Sequence, residues 1–318
     1  MPSEFELIAR YFTRPVKRAV LGVGDDAALL RVGKGMEIAV STDMLVCGTH
    51  FVAGADPRKL GHKSLAVNLS DMAAMAAVPR SVFLSLALPK AEPAWLRAFS
   101  AGFLALARAH GAELVGGDTT RGPLNICVTI MGEVPRGRAL RRDHARAGDD
   151  VWVSGALGTA AIGLAHQQGR VQLSRAEAAR CMRALEQPQP RVELGIALRS
   201  IAHAAIDVSD GLAADLGHIC ERSSLGADVW IDRIPRARVL GRLAQPEIVE
   251  QALIAGGDDY ELCFTAPVRR RADVAALSRR LRLPLTRIGA MRSGRGVRLL
   301  RADGRAIQQR KGGWDHFG

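Results

Sequence analysis

No stretch of this 318-residue sequence stays apolar for the length of a membrane-spanning helix, so we expect no membrane partner. The five cysteines are far apart and form no Cys-x-x-Cys pair, which predicts free thiols in a reducing cytoplasm and disfavours a zinc site or a disulfide framework. The N-terminal stretch MPSEFELIARYF carries charges within its apolar pattern, which is typical of an amphipathic helix and not of a signal peptide. The sequence therefore predicts a cytoplasmic, globular protein.

Acidic residues are scarce near the end of the sequence. Between Thr265 and Lys311 there are fourteen Arg and Lys against two Asp, while the formal net charge of the whole chain is +12. Basic segments can contact nucleic acid. No aromatic residue interrupts this one before Trp314, and no helix-turn-helix or zinc-finger pattern is present. We therefore expect a solvated basic face and no nucleic-acid partner; attraction of an anionic substrate and nucleic-acid binding remain the alternatives.

Several common nucleotide and nucleophile motifs are also absent. There is no Gly-x-x-x-x-Gly-Lys-Ser/Thr phosphate loop, and no Ser/His/Asp or Cys/His arrangement stands out. The run GVGDDA (22–27) fits the dinucleotide fingerprint formally, but the aspartates at its variable positions would repel a pyrophosphate. The run SGALGTAAIG (154–163) opens a predicted helix and could bind phosphate there. We expect its small residues to serve close helix packing instead.

The apolar pattern predicts a chain of mixed strands and helices. The predicted strands are Val20–Val23, Glu37–Thr42, Ser81–Leu88, Asn125–Val134, Val151–Ser154, Ala204–Val208, Ala227–Ile231 and Leu262–Thr265. The predicted helices are Pro57–Ala77, Pro93–His110, Ala156–Gln167, Arg191–Ala202, Leu212–Arg222 and Pro246–Ile254. The polar, basic stretch Pro135–Asp150 predicts a linker between two domains, residues 1–138 and 149–318, in a mixed α/β or α+β chain.

What the sequence has in abundance is one arrangement of aspartate: an apolar run, then small residues, then Asp. Asp71 is the sharpest case, because it is the only charged residue between Ser64 and Pro79, and a buried carboxylate is costly unless it is paired or bound to a metal. Helix caps or Asx turns remain the alternative for single cases such as GGDTT and VSDGL. Six such places predict a shared site. The aspartates are Asp25, Asp26, Asp43, Asp71, Asp118, Asp207, Asp210, Asp258 and Asp259.

Carboxylates without a cluster of His or Cys favour Mg²⁺ over zinc. Mg²⁺ keeps several waters and is usually completed by phosphates of the substrate. Several carboxylates therefore predict more than one Mg²⁺ and a polyphosphate co-substrate, most simply ATP. Divalent cations would also explain why Asp25 and Asp26 can lie side by side.

Six motifs, in order along nearly the whole chain, resemble those of the thiamine-monophosphate kinase family. They are GVGDDAALL, STDML…GTHF, NLSDMAAM, GGDTTRGP, DVSDGLAADLGH and GGDDYELCF. This family lies within the aminoimidazole ribonucleotide synthetase-like superfamily. The resemblance implies an N-terminal α/β domain whose strands form a dimer barrel, a C-terminal α+β domain that completes the ATP and substrate site, and a homodimer. It also implies transfer of the γ-phosphoryl group of ATP to thiamine monophosphate, which gives thiamine diphosphate.

The resemblance also implies roles for individual residues. The Mg²⁺ ligands would be Asp26, Ser41, Thr42, Asp43, Asp71, Asp118, Asp207 and Asp210, and of these Asp43, Asp71, Asp118 and Asp210 would carry the catalysis. The ATP contacts would be Gly117, Asp118, Arg142 and Ser209, and the substrate contacts His50, Asp258 and Trp314. At the position of Asp258 the family usually has Glu, so the reach of this contact is shorter here.

The chemistry agrees with these roles. The acceptor is itself a phosphate and needs little activation by a base, so we expect direct in-line transfer assisted by metal ions. An aromatic face and a carboxylate suit the cationic thiazolium, and Trp314 and Asp258 would supply them. Trp314 could instead anchor the tail, and His50 could be a structural histidine.

Another ATP-using enzyme of the superfamily remains the alternative function. A selenophosphate synthetase would call for a reactive Cys near the N-terminus, and none precedes Cys47. The hydrogenase-maturation relative would call for a final Cys, whereas the printed sequence ends in HFG.

Overall fold

The computed structural model describes residues 4–24 and 27–307, and the chain divides into two compact units. The N-terminal unit comprises Met1–Met72 and Ala77–Arg138, and the C-terminal unit comprises Ala73–Ala76 and Ala139–Gly318. Among the described residues, no helix combines the length and the apolar character that crossing a bilayer requires.

The N-terminal unit is built on a four-stranded sheet in the order β1-β4-β2-β3. Neighbouring strands are antiparallel, except that β3 runs parallel to β2. A π-helical turn, Ile8–Phe12, continues the first helix. The elements are α1 (Glu4–Leu7), β1 (Met36–Val46), α2 (Pro57–Ala74), β2 (Val78–Leu88), α3 (Pro93–Ala109), β3 (Glu113–Arg121) and β4 (Asn125–Pro135).

Helices α2 and α3 cross at two glycines. A Cβ on Gly61 would lie 2.1 Å from the carbonyl oxygen of Phe99, and one on Gly102 would lie 1.9 Å from that of Arg58. Only glycine permits backbones to approach so closely. Helix α2 is buried on almost every side, which confirms the prediction for the apolar stretch around Asp71.

The C-terminal unit contains a seven-stranded sheet in the order β11-β10-β7-β9-β5-β8-β6. Only β10 and β7 are parallel; the other neighbours are antiparallel. Helix α7 packs on this sheet through Leu216 and Ile219, which are fully buried with Val151, Ile206 and Ile288. The elements are β5 (Asp150–Ser154), α4 (Thr159–Gln167), α5 (Arg175–Glu186), α6 (Val192–Leu198), β6 (Ala204–Val208), α7 (Leu212–Arg222), β7 (Gly226–Trp230), α8 (Pro246–Ala255), β8 (Glu261–Ala266), α9 (Arg271–Leu281), β9 (Leu285–Arg292), β10 (Gly296–Leu300) and β11 (Ala306–Ile307).

The predicted combination of α/β and α+β layers is confirmed, with local differences. The predicted strand Val20–Val23 is wrong, because Leu21 makes only an isolated bridge to Leu29. Two helices, α5 and α9, and four strands, β3, β9, β10 and β11, were not predicted. Strand β3 was missed because it contains GGD, a typical turn sequence. Here Gly117 has φ +146° and its Cβ would lie 1.9 Å from the Leu84 carbonyl oxygen, so this glycine permits a close strand contact.

Candidate active site

In the N-terminal unit, α2 brings Asp71 to the middle of β1. The Ser41 hydroxyl donates a short hydrogen bond to Asp71 Oδ2. Asp43 is two residues further along β1, so its side chain points to the same face as Ser41. Asp71 is half-buried, and the Ser41 hydroxyl is one hydrogen-bond partner of its carboxylate. Asp43 lies within β1, which continues to Val46, whereas the predicted strand Glu37–Thr42 ends just before it.

Thr42 points away from this group. Its Oγ1 lies 2.8 Å from Oγ1 of Thr129 on β4, on the exposed face of the sheet. The hydroxyl of Thr42 therefore does not join Ser41 and Asp71, although the three residues are neighbours in the predicted ligand set.

Asp118 lies on β3, at the opposite edge of the sheet. It is paired with Ser85 on β2, Ser85 with Cys127 on β4, and Cys127 with Met44 on β1. Because neighbouring strands are about 4.8 Å apart, the backbones of Asp118 and Met44 are separated by roughly 14 Å. The side chains of these paired residues, from Met44 to Asp118, point to one face of the sheet, and the side chain of Asp43 points to the other. Asp118 and Asp43 therefore occupy opposite edges and opposite faces of this sheet.

In the C-terminal unit, three loops meet at one edge of the sheet. Strands β5 and β6 end at this edge, and β8, which is antiparallel to both, begins there. Backbone bonds join two of the loops, since Asp258 N–H donates to Ser209 O and Tyr260 N–H to Val208 O, both at 2.8 Å. This edge thus collects the predicted residues Asp207, Ser209, Asp210 and Asp258.

The loop after β6 is organised by a carboxylate that the sequence did not single out. Asp215 accepts hydrogen bonds from the backbone N–H groups of Ser209, Asp210 and Gly211. Burial raises the pKa of Asp215 to about 8, and the negative charges of Asp207 and Asp210 add to the shift. A cation bound to those two aspartates would remove their part of it. The DGLAAD spacing was the available signal, but any helix start would give it.

The loop before β8 holds Asp258 in an uncommon backbone conformation. Asp258 and Tyr260 have φ of +65° and +51°, in the left-handed region that side chains other than glycine seldom adopt. The Tyr260 hydroxyl donates to Asp258 Oδ1 at 3.1 Å. Two left-handed residues and a side-chain bond therefore fix the direction of the Asp258 carboxylate, as is common at functional sites.

Asp259 caps α4. Its carboxylate accepts the N–H groups of Gly158 at 2.6 Å and Ala160 at 3.3 Å. Burial raises the pKa of Asp259 to about 7. A Cβ on Gly163 would lie 2.6 Å from the carbonyl oxygen of Cys181, so this glycine lets α4 and α5 approach closely. The N–H groups that a phosphate would need already donate to Asp259, which agrees with the packing interpretation of the 154–163 run.

Glu261, which is buried, forms an ion pair with the partly buried Arg191. The Arg191 Nε lies 2.7 Å from Glu261 Oε2, and a second guanidinium nitrogen donates to Oε1. Burial would lower the pKa of Arg191, but its hydrogen bonds and the charge of Glu261 outweigh burial and raise it. Ser154 donates to the same carboxylate at 2.5 Å. No sequence pattern predicts this network, because its partners are 70 and 107 residues apart along the chain.

The remaining predicted site residues are placed as follows. The Val46 N–H donates to His50 Nδ1 at 3.0 Å, so this ring nitrogen is an acceptor. Arg142 is exposed in a 3₁₀ turn whose carbonyl oxygen accepts from Ser223 Oγ at 2.7 Å. Asp26 and Trp314 lie outside the described residues.

Within residues 4–24 and 27–307, no three His, Cys, Asp or Glu side chains are grouped so as to hold a metal ion. The convergence that the six aspartate motifs predict is therefore not present as a preformed carboxylate cluster in this part of the chain. Most of the predicted metal ligands in this part of the chain lie in two smaller groups, one around Asp71 on β1 and α2 and one around Asp210 after β6.

Comparison with known families defines the class of protein. The models of the N-terminal and C-terminal domains of AIR synthase related proteins match residues 24–134 and 146–301. The chain is thus an AIR synthase related protein with both domains of that class.

Full-length relatives define the family more closely. The thiamine-monophosphate kinases of Salmonella typhimurium and Escherichia coli are each 44% identical to the chain, and the alignments cover 99% of the chain and 98% of the relative. The crystal structure of thiamine-monophosphate kinase from Stenotrophomonas maltophilia K279a is similar with a TM-score of 0.86 at 47% identity, covering 95% of both chains. The structure of AaThiL complexed with AMPPCP and TMP has a TM-score of 0.79 at 29% identity, covering 90% of this chain and 89% of that one. The chain belongs to the thiamine-monophosphate kinase family.

Proposed function

We propose that this chain transfers the γ-phosphoryl group of ATP to thiamine monophosphate. A phosphate oxygen of thiamine monophosphate forms a new bond to the γ-phosphorus, the bond from that phosphorus to the β–γ bridging oxygen breaks, and ADP leaves. The observation that carries the proposal is the 44% identity to thiamine-monophosphate kinases over the full length of the chain. The similarity to the structure of AaThiL complexed with AMPPCP and TMP supports the same pair of substrates.

The donors of this chain fit Mg²⁺. Both groups offer oxygen atoms of Asp and Ser, which are the ligands that Mg²⁺ prefers, and neither includes Cys or His. Mg²⁺ needs only one or two carboxylates when substrate phosphates and waters complete its shell, so a preformed cluster of three is not required. Bound Mg²⁺ would neutralise the charge of the phosphates. The proposed ligands are Asp26, Ser41, Thr42, Asp43, Asp71, Asp118, Asp207 and Asp210.

The nucleotide contacts follow from exposed groups. Asp118 and the neighbouring Gly117 are exposed on β3. Arg142 offers a guanidinium for phosphate, and Ser223 holds the turn that carries it. Ser209 belongs to the loop that follows β6. We propose that these residues orient ATP, with 1–138 supplying most metal and dimer contacts and 149–318 completing the ATP and substrate site.

The direction of Asp258 suits recognition of a cation. The thiazolium ring of thiamine monophosphate is positively charged, and a carboxylate fixed by the Tyr260 hydroxyl would attract it. Trp314 would add an aromatic face and His50 a further contact, as the family resemblance implies. The acceptor is a phosphate that already carries charge, so no residue needs to act as a strong base, and transfer is direct and in line.

We propose that the protein is a homodimer with a shared nucleotide site. The residues of β1 alternate between an inward-facing and an exposed side. The exposed side is apolar, and between 39% and 56% of the surface is accessible at Met36, Ile38, Val40 and Met44. An apolar strand face of this kind is expected to be covered by another copy. Asp118 lies at the edge of the sheet remote from Asp43. A second copy could bring its own Asp118 to the β1 edge of the first.

The experiment that tests the function is turnover by the purified full-length chain. ATP and Mg²⁺ are supplied with a panel of phosphorylated acceptors, and products are separated by chromatography. We expect thiamine diphosphate and ADP in equal amounts. If another acceptor is phosphorylated and thiamine monophosphate is not, a different ATP-using enzyme of the superfamily is favoured. Inversion of a chiral γ-phosphorus would support in-line transfer, and retention would point to a phosphoenzyme.

A further inference from the structure

Asp215, in the first turn of α7, gathers three consecutive backbone donors at one oxygen. Its Oδ2 lies 3.1, 3.2 and 3.1 Å from the nitrogens of Ser209, Asp210 and Gly211. Successive N–H groups that converge in this way form a nest suited to an anion. Asp215 is only 2% exposed, so here the chain fills the nest with its own carboxylate.

The backbone around this nest is tightly constrained. Gly211 has φ +119°, and a Cβ there would lie 2.7 Å from the carbonyl carbon of Ala255. On the other side, the Ser209 carbonyl oxygen accepts from Asp258 N–H. Two sets of hydrogen bonds therefore determine the path of residues 209–211: those that the buried Asp215 carboxylate accepts, and the one that Asp258 N–H donates.

We propose that Asp215 is a positioning residue for the Mg²⁺–nucleotide site: by holding the 209–211 backbone, it sets the direction of Ser209 and Asp210. This inference rests on the proposed role of those two residues in binding Mg²⁺ and ATP. It predicts that the acceptor oxygen of residue 215 matters for metal affinity. A simple helix cap would affect stability alone, and a direct ligand would need the negative charge.

The test is titration of Mg²⁺ into the full-length protein in the presence of AMPPCP, followed by calorimetry. Asp215→Ala removes the acceptor, and we expect Mg²⁺ affinity to fall about 10- to 100-fold, as when partners behind metal ligands are removed. Asp215→Asn keeps an acceptor oxygen and should restore most of the affinity. Wild-type affinity in folded Asp215→Ala, or equal losses in both variants, would overturn the proposal.

Ser174→Ala is the matched control. Ser174 caps α5 by accepting the Glu177 N–H, in a helix that carries none of the proposed ligands. This variant should lower the melting temperature and leave Mg²⁺ affinity unchanged. An equal loss of affinity in Ser174→Ala would show that the titration reports stability only, and the proposal would fail.

A measurement on the wild-type chain covers the case in which Asp215→Ala does not fold. Amide hydrogen exchange of residues 209–211 in metal-free protein should be slow, because Asp215 accepts all three hydrogen bonds. Exchange at the rate of an exposed loop would overturn the proposal.

Asp210→Asn distinguishes the positioning role of Asp215 from the proposed metal role of Asp210, on which it rests. Unchanged Mg²⁺ affinity in Asp210→Asn would refute the proposed metal role itself. A loss in Asp210→Asn without a loss in Asp215→Ala would refute only the positioning role.

Discussion

Mixing two inactive variants, Asp43→Asn and Asp118→Asn, tests whether the nucleotide site is shared between two protomers. Each substitution removes one proposed Mg²⁺ ligand, so each homodimer should be inactive. If one site uses Asp43 from one protomer and Asp118 from its partner, a mixed dimer has one site with both substitutions and one with neither. Random exchange makes about half of the dimers mixed, so about a quarter of wild-type activity should return.

The assay is ADP release with thiamine monophosphate after the two variants are unfolded together and refolded as an equimolar mixture. Different affinity tags and native mass spectrometry establish that mixed dimers are present. Asp43→Asn mixed with Asp71→Asn is the control, because both residues belong to the β1–α2 group of one protomer and every site would carry one substitution. No recovery with Asp118→Asn, although mixed dimers are present, would refute the shared site and the reasoning from strand register.

Three further predictions concern the C-terminal unit. Tyr260→Phe removes the hydroxyl that orients Asp258, so calorimetry should show about 2- to 10-fold weaker binding of thiamine monophosphate. ATP affinity should not change, and a loss that persists in an Asp258→Ala background would contradict the reasoning. Glu261→Gln leaves Arg191 without its buried counter-charge, and urea unfolding should show a free energy of unfolding lower by about 3–5 kcal/mol; a wild-type urea midpoint would rule this out. Burial raises the pKa of Asp259 from 3.8 to about 7. The folded state therefore keeps a proton that the unfolded state releases, and stability should fall as pH rises between those values. Asp259→Asn should reduce the slope of this part of the stability profile, and the slope that remains should come from Asp215, whose pKa burial also raises. An unaltered slope would show that Asp259 does not contribute to it.

The sequence predicts a feature well where one short segment determines it. Helix α2 is an example, because an apolar run with a single charge leaves few environments for Asp71 other than a buried, partnered one. The six aspartate motifs likewise brought out Asp210 and Asp258, since each lies close to a strand end. Strand β3 was hidden because its glycines respond to a contact with β2 that only the folded chain reveals.

Long-range pairs account for most of what the sequence left out. The basic segment near the end of the chain illustrates this, because several of its charges are neutralised by distant aspartates. Arg271 and Arg287 lie 2.6 and 3.2 Å from Asp150, and Arg298 lies 2.6 Å from Asp228. No local pattern predicts such partners. The three arginine side chains nevertheless keep 37–53% of their surface exposed, which agrees with the expected solvated basic face.

The left-handed backbone conformation at Asp258 restricts which residue types this position can accommodate. Asp and Asn adopt this conformation more readily than longer side chains do. A Glu at this position would extend the carboxylate by one methylene but would hold it on a less favourable backbone. Here Asp gives the shorter reach, and the Tyr260 hydroxyl anchors it. A longer side chain at position 258 would therefore have to place its carboxylate differently with respect to the same Tyr260 hydroxyl.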